Sequence, residues 1–119
     1  MPGLPPLLET FLARWNAYDI EGVVALYTHD AKMADPTLSE PICGKQALRR
    51  YYSEMWATSP DARLECRWAE VSSSGIAWPW RFSGTAQNGR WEVVGASLFV
   101  LRDGLIARDH AVWDPPSTP

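Results

Sequence analysis

The dipeptide Asp35-Pro36 places a lone carboxylate in a chain that is rich in aromatic side chains. It follows a short extended stretch at residues 31–34. A carboxylate held in an apolar cup has a raised pKa, which makes it a stronger proton acceptor for carbon acids. Asp before Pro is also a common way to begin a turn. The dipeptide therefore supports two hypotheses, a buried general base and a plain turn.

The composition excludes several classes of function. The chain has 119 residues, enough for one domain with a single core. Its net charge is -3 and its basic residues are scattered, whereas a nucleic-acid surface needs clustered Lys and Arg. No apolar run approaches the roughly 18 residues of a membrane span. We predict one domain over residues 1–119, with a loose tail at 115–119 and no nucleic-acid or membrane partner.

Cysteine and histidine spacing indicates neither a metal site nor a disulfide framework. Cys43 and Cys66 stand alone, and His29 and His110 lie far apart. The N-terminus lacks the basic start and the small-residue cleavage site of a signal peptide. Two thiols in a chain without a secretion signal are expected to be reduced. We therefore predict a cytoplasmic protein without a structural metal, while the sequence leaves a catalytic metal open.

Two periodicities divide the chain into helices and then strands. Apolar residues recur at spacings of three and four over 7–18, 20–27 and 48–56, which predicts three amphipathic helices. From residue 64 onward the pattern changes to alternation, which predicts strands. The predicted strands lie at 64–68, 76–82, 91–101 and 105–113.

The turns between the strands have their own signals. Asn88-Gly89 and Asp103-Gly104 predict two type I′ hairpins, because these residues accept positive φ angles. Pro79 cannot donate to a ladder, so it is expected at an edge or a bulge.

Helices followed by a meander predict an α+β fold, with three N-terminal helices packed on a curved antiparallel sheet. Such a cone leaves a cavity between the helices and the sheet. The strand at 91–101 is apolar on both faces, which indicates a partner outside the cavity. We predict a homodimer that packs through this sheet.

Several segments together resemble a known family. They are residues 19–36, Glu40-Pro41, Gly44, Tyr51-Tyr52 and residues 77–82. In type and order they resemble bacterial ketosteroid isomerases within the NTF2-like and SnoaL-like superfamily. The resemblance implies the NTF2-like (cystatin-like) cone and a small hydrophobic ligand or substrate, bound without a cofactor.

The resemblance also implies roles for particular residues. In that family the Asp of the Asp-Pro pair moves a proton between two carbons of an enone, which implies that Asp35 is the base. Tyr27 and Tyr52 correspond to tyrosines of a hydrogen-bond network. The residues expected to contact the substrate share aromatic side chains: Phe11, Trp15, Tyr27, Tyr52, Trp78, Trp80, Phe82 and Trp113.

The oxyanion site of that family is altered here. The position of its helix tyrosine is Phe11, which has no donor, and the position of its strand aspartic acid is Ser97, a weaker donor. Losing one oxyanion donor costs about a hundredfold to a thousandfold in rate. We therefore predict that the chain isomerises a Δ5-3-ketosteroid slowly or not at all, and rates equal to those of an efficient isomerase would contradict this.

Strand alternation offers a second carboxylate, Asp109, on the same face as Ala111 and Trp113. Its alternative role is an ion pair at a rim, with Arg108, His110 or an arginine of a neighbouring strand. Two carboxylates in unlike environments can divide into a base and an acid. The combination suits an isomerase or cyclase working by proton transfer, or epoxide opening with Asp35 and Asp109. The competing hypothesis is a module that binds a hydrophobic ligand without chemistry.

Overall fold

The computed structural model describes residues 3–114. Its elements in chain order are α1 Pro6–Asn16, α2 Ile20–Val24, β1 Tyr27–Ala34, β2 Ile42–Cys43, α3 Lys45–Thr58, β3 Arg63–Glu65, β4 Glu70–Val71, β5 Gly75–Ala86, β6 Gly89–Arg102 and β7 Leu105–Trp113. The predicted α+β arrangement of three helices on a curved sheet is confirmed. The predicted tail at 115–119 lies outside the described residues.

The second helix is shorter than its apolar pattern indicated. Asp19 caps α2 by accepting a hydrogen bond from the Gly22 amide at 3.0 Å. The helix ends at Val24, and Tyr27 begins β1. The prediction that Tyr27 shares a helix face was wrong. Its spacing of four residues from Val23 fits a helix, but Tyr27 belongs to a strand. Tyr27 pairs with Ile106 of β7.

The sheet is mixed and not wholly antiparallel as predicted. Its strand order is β2-β1-β7-β6-β5-β3, and β4 pairs with β5. Strands β1 and β7 run parallel, with Met33 opposite Asp109. All other pairs are antiparallel. A parallel pair needs a long connection, and the chain between β1 and β7 is long enough to provide one. No local sequence pattern encodes this pairing.

Both predicted hairpins are present, but their turns differ. Asp103 and Gly104 both have positive φ, as a type I′ turn requires. At the other hairpin the strands close at the Ala86–Gly89 pair, and of the turn residues only Gly89 has positive φ. That geometry departs from the predicted type I′ turn.

Pro79 lies where β5 lacks a neighbour on one side. Strand β3 pairs with β5 from residue 81 onward, and β4 pairs with residues 76 and 77. Residues 66–69 leave the sheet between these two short strands, so the predicted strand at 64–68 ends at Glu65. Pro79 faces this gap, consistent with the predicted edge position.

The inner face of the sheet holds the core. Phe99 of β6 meets Phe11 of α1 edge to face at 5.1 Å, and Trp15 meets Phe82 of β5 in the same way at 5.6 Å. Such contacts fix the helices over the inner face. The outer face carries exposed Val94. Within residues 3–114, no helix is long and apolar enough to cross a membrane.

A bulge in β7 decides which of its side chains face inward. Val100 pairs with Arg108 and Leu101 pairs with Ile106, so Ala107 has no opposite residue. The extra residue reverses the alternation, and both Ile106 and Asp109 are therefore buried.

Candidate functional site

A cavity of about 440 Å³ lies between helices α1 and α3 and the inner face of the sheet. Its volume is in the range of pockets that hold small organic molecules. Its aromatic lining residues are Phe11, Trp15, Tyr51, Tyr52, Trp78, Trp80, Phe82 and Trp113. Of the aromatic residues expected at the substrate, only Tyr27 is outside this lining; it is fully buried, and its hydroxyl contacts Tyr52 and Asp109.

Asp109 reaches the cavity from β7 and is only 4% exposed. Its Oδ2 accepts a hydrogen bond of 2.6 Å from the hydroxyl of Tyr27. The Tyr52 hydroxyl lies 3.4 Å from the same oxygen and 2.7 Å from the Tyr27 hydroxyl. Among the described residues, none donates to Oδ1. One carboxylate oxygen is therefore anchored and the other is available to a ligand.

The environment of Asp109 favours its protonated form. Burial raises the pKa of Asp109 to about 6, and the negative charge of Asp35 adds to this effect. The two tyrosine hydroxyls act in the opposite direction, because they donate to the ionised form. Burial also raises the pKa of Tyr27 and Tyr52, so both phenols stay protonated as donors. Asp109 thus titrates near neutral pH, where a general base is most effective.

Replacing Tyr27 by Phe is expected to raise the pKa of Asp109 above 6. The change removes the shorter of two hydrogen bonds that stabilise the carboxylate. A ¹³C NMR titration of the aspartate carboxyls measures it directly. Tyr52→Phe is the matched comparison and should have a smaller effect, since its contact is 3.4 Å. An unchanged or lower pKa in Tyr27→Phe would contradict the assigned hydrogen bond.

Asp35 is buried at 7% exposure but is not part of the cavity lining. Its Oδ1 accepts from the Thr37 amide at 2.7 Å and the Thr37 hydroxyl at 2.6 Å, and its Oδ2 accepts from the Tyr51 hydroxyl. The Asp35 carbonyl also accepts from the Leu38 amide at 3.2 Å. The dipeptide is thus both a turn and a buried carboxylate. Its side chain is held behind Thr37 and Tyr51, which do line the cavity.

Ser97 lines the cavity from β6 and is buried. Its Oγ accepts a 2.9 Å hydrogen bond from Nε1 of Trp80. Its own hydroxyl hydrogen has no acceptor within residues 3–114, so it can be donated to a ligand. A hydroxyl that accepts one hydrogen bond becomes a better donor of another.

Gly95 makes room for the indole that holds Ser97. A Cβ on Gly95 would lie 2.6 Å from the Trp80 ring and 2.5 Å from the Val112 carbonyl oxygen. A side chain at this position would therefore push Trp80 away from Ser97.

Phe11 occupies the place of the expected oxyanion tyrosine and has no donor. Its ring packs edge to face against Trp78 at 5.9 Å and against Phe99 at 5.1 Å. The Nε1 of Trp78 is buried and has no hydrogen-bond partner among the described residues. Among the described lining residues that lie on the sheet, Ser97 is the one with a hydroxyl.

Two members of the site were missed by sequence reasoning about function. Thr37 and Tyr51 together hold Asp35. Tyr51 was one of the residues that carried the family resemblance, but it received no role. The signal for Thr37 was its position two residues after Asp35, where an Asp side chain commonly binds a backbone amide.

Charged groups are distributed unevenly around the cavity. Its lining contains the carboxylates of Asp109 and Glu54 and no Lys, Arg or His. The exposed histidines, His29 and His110, lie outside it. Over residues 3–114, no group of three or more potential metal ligands comes together.

The family model of the SnoaL-like domain matches residues 8–109. Three solved structures show how widely this fold is shared. A protein of Catenulispora acidiphila with a ketosteroid isomerase-like fold, in complex with trimethylamine, has a TM-score of 0.82 at 14% identity, over 91% of this chain and 85% of that chain. TerC, co-crystallised with polyporic acid, has a TM-score of 0.80 at 16% identity, over 91% and 88%.

The third is SalBIII, an epoxide hydrolase/cyclase-like enzyme with a role in pyran ring formation in the polyether salinomycin. It has a TM-score of 0.80 at 18% identity, over 91% of this chain and 88% of that chain. At these identities the likeness establishes the fold and no shared reaction. The match of the family model over most of the chain goes further: this protein belongs to the SnoaL-like domain family.

Proposed function

We propose that this protein is a cofactor-free enzyme that transfers a proton within a small hydrophobic substrate, as an isomerase or cyclase does. The observation that carries the proposal is Asp109, a buried carboxylate with one oxygen anchored by Tyr27 and the other available in an aromatic cavity. Asp109 is the general base. Its raised pKa makes it a better proton acceptor than a solvated carboxylate.

Ser97 is the proposed donor to the substrate oxygen on which negative charge develops. It faces the same cavity as Asp109, and the indole of Trp80 fixes its hydroxyl. One neutral hydroxyl stabilises an oxyanion less than two strong donors do. The site therefore suits carbon acids whose enolate is already stabilised by conjugation, such as a proton between an aromatic ring and a carbonyl.

The proposed role of Asp35 is to position Tyr51. All three hydrogen bonds of its side chain come from Thr37 and Tyr51, which line the cavity while Asp35 does not. The family resemblance implies instead that Asp35 is the base. The two assignments give opposite results in the exchange experiment described below.

The cavity gives less support to epoxide opening by the two carboxylates. The resemblance to epoxide hydrolases of the same superfamily implies a site with two aspartates and an arginine between them. The described lining of this cavity contains no arginine. Ligand binding without chemistry would be a separate result of the deuterium-exchange experiment that follows.

The proposal is tested with a carbon acid that fits an aromatic cavity. In D2O, proton NMR follows deuterium exchange at the carbon between the ring and the carbonyl of 2-tetralone. We expect the protein to accelerate exchange well above the buffer rate at pH 8. Binding of 2-tetralone without acceleration would contradict the enzymatic proposal and favour a binding module.

Small organic molecules in two structural neighbours support the use of this cavity as a ligand site. One neighbour holds trimethylamine and another holds polyporic acid. These ligands belong to those proteins. Their presence supports small-molecule binding by proteins of this fold, and a cavity of about 440 Å³ here has room for a small organic molecule.

We also propose a homodimer formed by the outer face of the sheet. Val94, Leu98 and Val112 are exposed there at 61%, 46% and 52%. They lie on the adjacent strands β6 and β7, so they form one apolar patch. A self-complementary apolar patch is a common basis of a twofold dimer.

Replacing Val94 and Leu98 together by Lys is expected to weaken this dimer at least tenfold, because charged groups would be buried between the copies. Sedimentation velocity at micromolar concentrations measures the change. Leu105→Lys, at the β6–β7 hairpin, is the control and should leave association unchanged. A wild-type chain that is monomeric at these concentrations would contradict the proposed dimer.

A further inference from the structure

The cavity has the charge pattern of a site for cations. Its lining contributes two carboxylates, Asp109 and Glu54, and no basic residue. A third carboxylate, Asp35, lies close enough to raise the pKa of Asp109. The salt bridges of the described residues involve other carboxylates, namely Glu21, Asp30 and Glu92. Within residues 3–114, the negative charge beside the cavity therefore has no protein counter-ion.

The groups that face Asp109 from each neighbouring element confirm this pattern. Strand β1 contributes Tyr27 and Met33, and α3 contributes Tyr51 and Tyr52. Strand β6 places Phe99 opposite Asp109. The basic neighbours in β7, Arg108 and His110, alternate to the other face of the sheet and are exposed. Phenols, a thioether and an aromatic ring surround the carboxylate, and none of them carries a positive charge.

The walls next to Asp109 are aromatic rings in several orientations. Tyr51 and Tyr52 meet edge to face at 5.2 Å, and Phe11 and Trp78 do so at 5.9 Å. Aromatic rings attract cations through their negative faces, and cages of such rings bind quaternary ammonium groups. The aromatic rings and the carboxylate therefore both attract a cationic ligand.

We infer that the cavity selects ligands that carry a lipophilic ammonium group, and that the carboxylate of Asp109 is its counter-ion. The inference rests on the proposed use of the cavity as a ligand site and names the class of molecule it takes. An anionic ligand would be repelled by the same carboxylates. A neutral ligand of the same shape would gain only the apolar contacts.

Three probes with one benzyl group separate these cases. Benzyltrimethylammonium carries a permanent positive charge, neopentylbenzene is its neutral carbon isostere, and benzylphosphonate is an anion. Tryptophan fluorescence and calorimetry measure their binding to the full chain. At pH 8 we expect the cation to bind at least tenfold more tightly than the isostere, and the anion not to bind.

The pH dependence and one variant identify the counter-ion. Cation affinity should fall about tenfold between pH 8 and pH 5, as Asp109 becomes protonated, while the affinity of the isostere stays constant. Asp109→Asn should remove the preference for the cation. Glu70→Gln, which neutralises an exposed carboxylate of β4, is the matched control and should retain it.

The wild-type comparison of cation and isostere needs no variant, so a poorly folded Asp109→Asn would not affect it. Equal affinity for both at pH 8 would overturn the inference and leave the cavity as a site for neutral ligands. Failure of all three probes to bind would overturn it and would also count against the cavity as a ligand site. Failure of 2-tetralone exchange alone would count only against the enzymatic proposal.

Discussion

Asp109→Asn is expected to slow deuterium exchange into 2-tetralone by a hundredfold to ten-thousandfold, the usual contribution of a positioned general base. The amide keeps the size of the side chain and still accepts the hydrogen bond from Tyr27, but it cannot take up a proton. Initial exchange rates at pH 8, corrected for the buffer rate, measure the effect. Glu70→Gln is the control for removing one carboxylate.

Asp35→Asn distinguishes the two candidate bases. If Asp35 only positions Tyr51, its replacement by Asn should reduce exchange much less than Asp109→Asn does. The Asp35 carboxylate is engaged by three hydrogen bonds from Thr37 and Tyr51 and does not line the cavity. The reverse order would show that the family resemblance identified the base correctly. Circular dichroism and thermal unfolding establish that both variants are folded.

The same Asp109→Asn variant is expected to be more stable than the wild type at pH 8. Raising a carboxyl pKa from 3.8 to about 6 corresponds to about 3 kcal/mol. In the unfolded chain Asp109 ionises near 3.8, whereas in the folded protein it resists ionisation until about pH 6. The wild type therefore loses this free energy of unfolding as the pH rises from 4 to 6.

Chemical denaturation of both proteins at pH 4 and pH 8 measures the difference. Their free energies of unfolding should be similar at pH 4, and Asp109→Asn should gain up to about 3 kcal/mol relative to the wild type at pH 8. Glu70→Gln should show no such pH-dependent gain, since its side chain is exposed. If the stability of Asp109→Asn relative to the wild type fell between pH 4 and pH 8, the result would contradict the buried state of Asp109.

The layered fold could be predicted because its signals are local. Alternation marked β5 to β7, and Asp103-Gly104 marked a hairpin whose two residues do have positive φ. The parallel pairing of β1 with β7 could not be predicted, because its partners are 76 or more residues apart in sequence, as in Met33 and Asp109. Tyr27 was misplaced for the same reason. Its spacing fits a helix face, and its place in a strand depends on pairing with Ile106 of β7, far away in the sequence.

The site was predicted in its members more than in its geometry. Alternation back from Trp113 placed Asp109 on the face of Ala111, and these three residues line the cavity. The bulge at Ala107 lies before Asp109, so it did not disturb that count. The positions of the Asp35 and Ser97 side chains depend on hydrogen bonds with Tyr51 and Trp80, which are contacts between elements and leave no local pattern.

The pH dependence of 2-tetralone exchange by the wild-type protein tests most directly whether Asp109 is the base. Rates are measured between pH 4 and pH 8 beside a ¹³C NMR titration of the Asp109 carboxyl. We predict that exchange rises as Asp109 loses its proton, with a midpoint at about pH 6, and is constant above pH 7. A midpoint that differs from the Asp109 titration, or a rate that does not change over this range, would contradict its assignment as the general base.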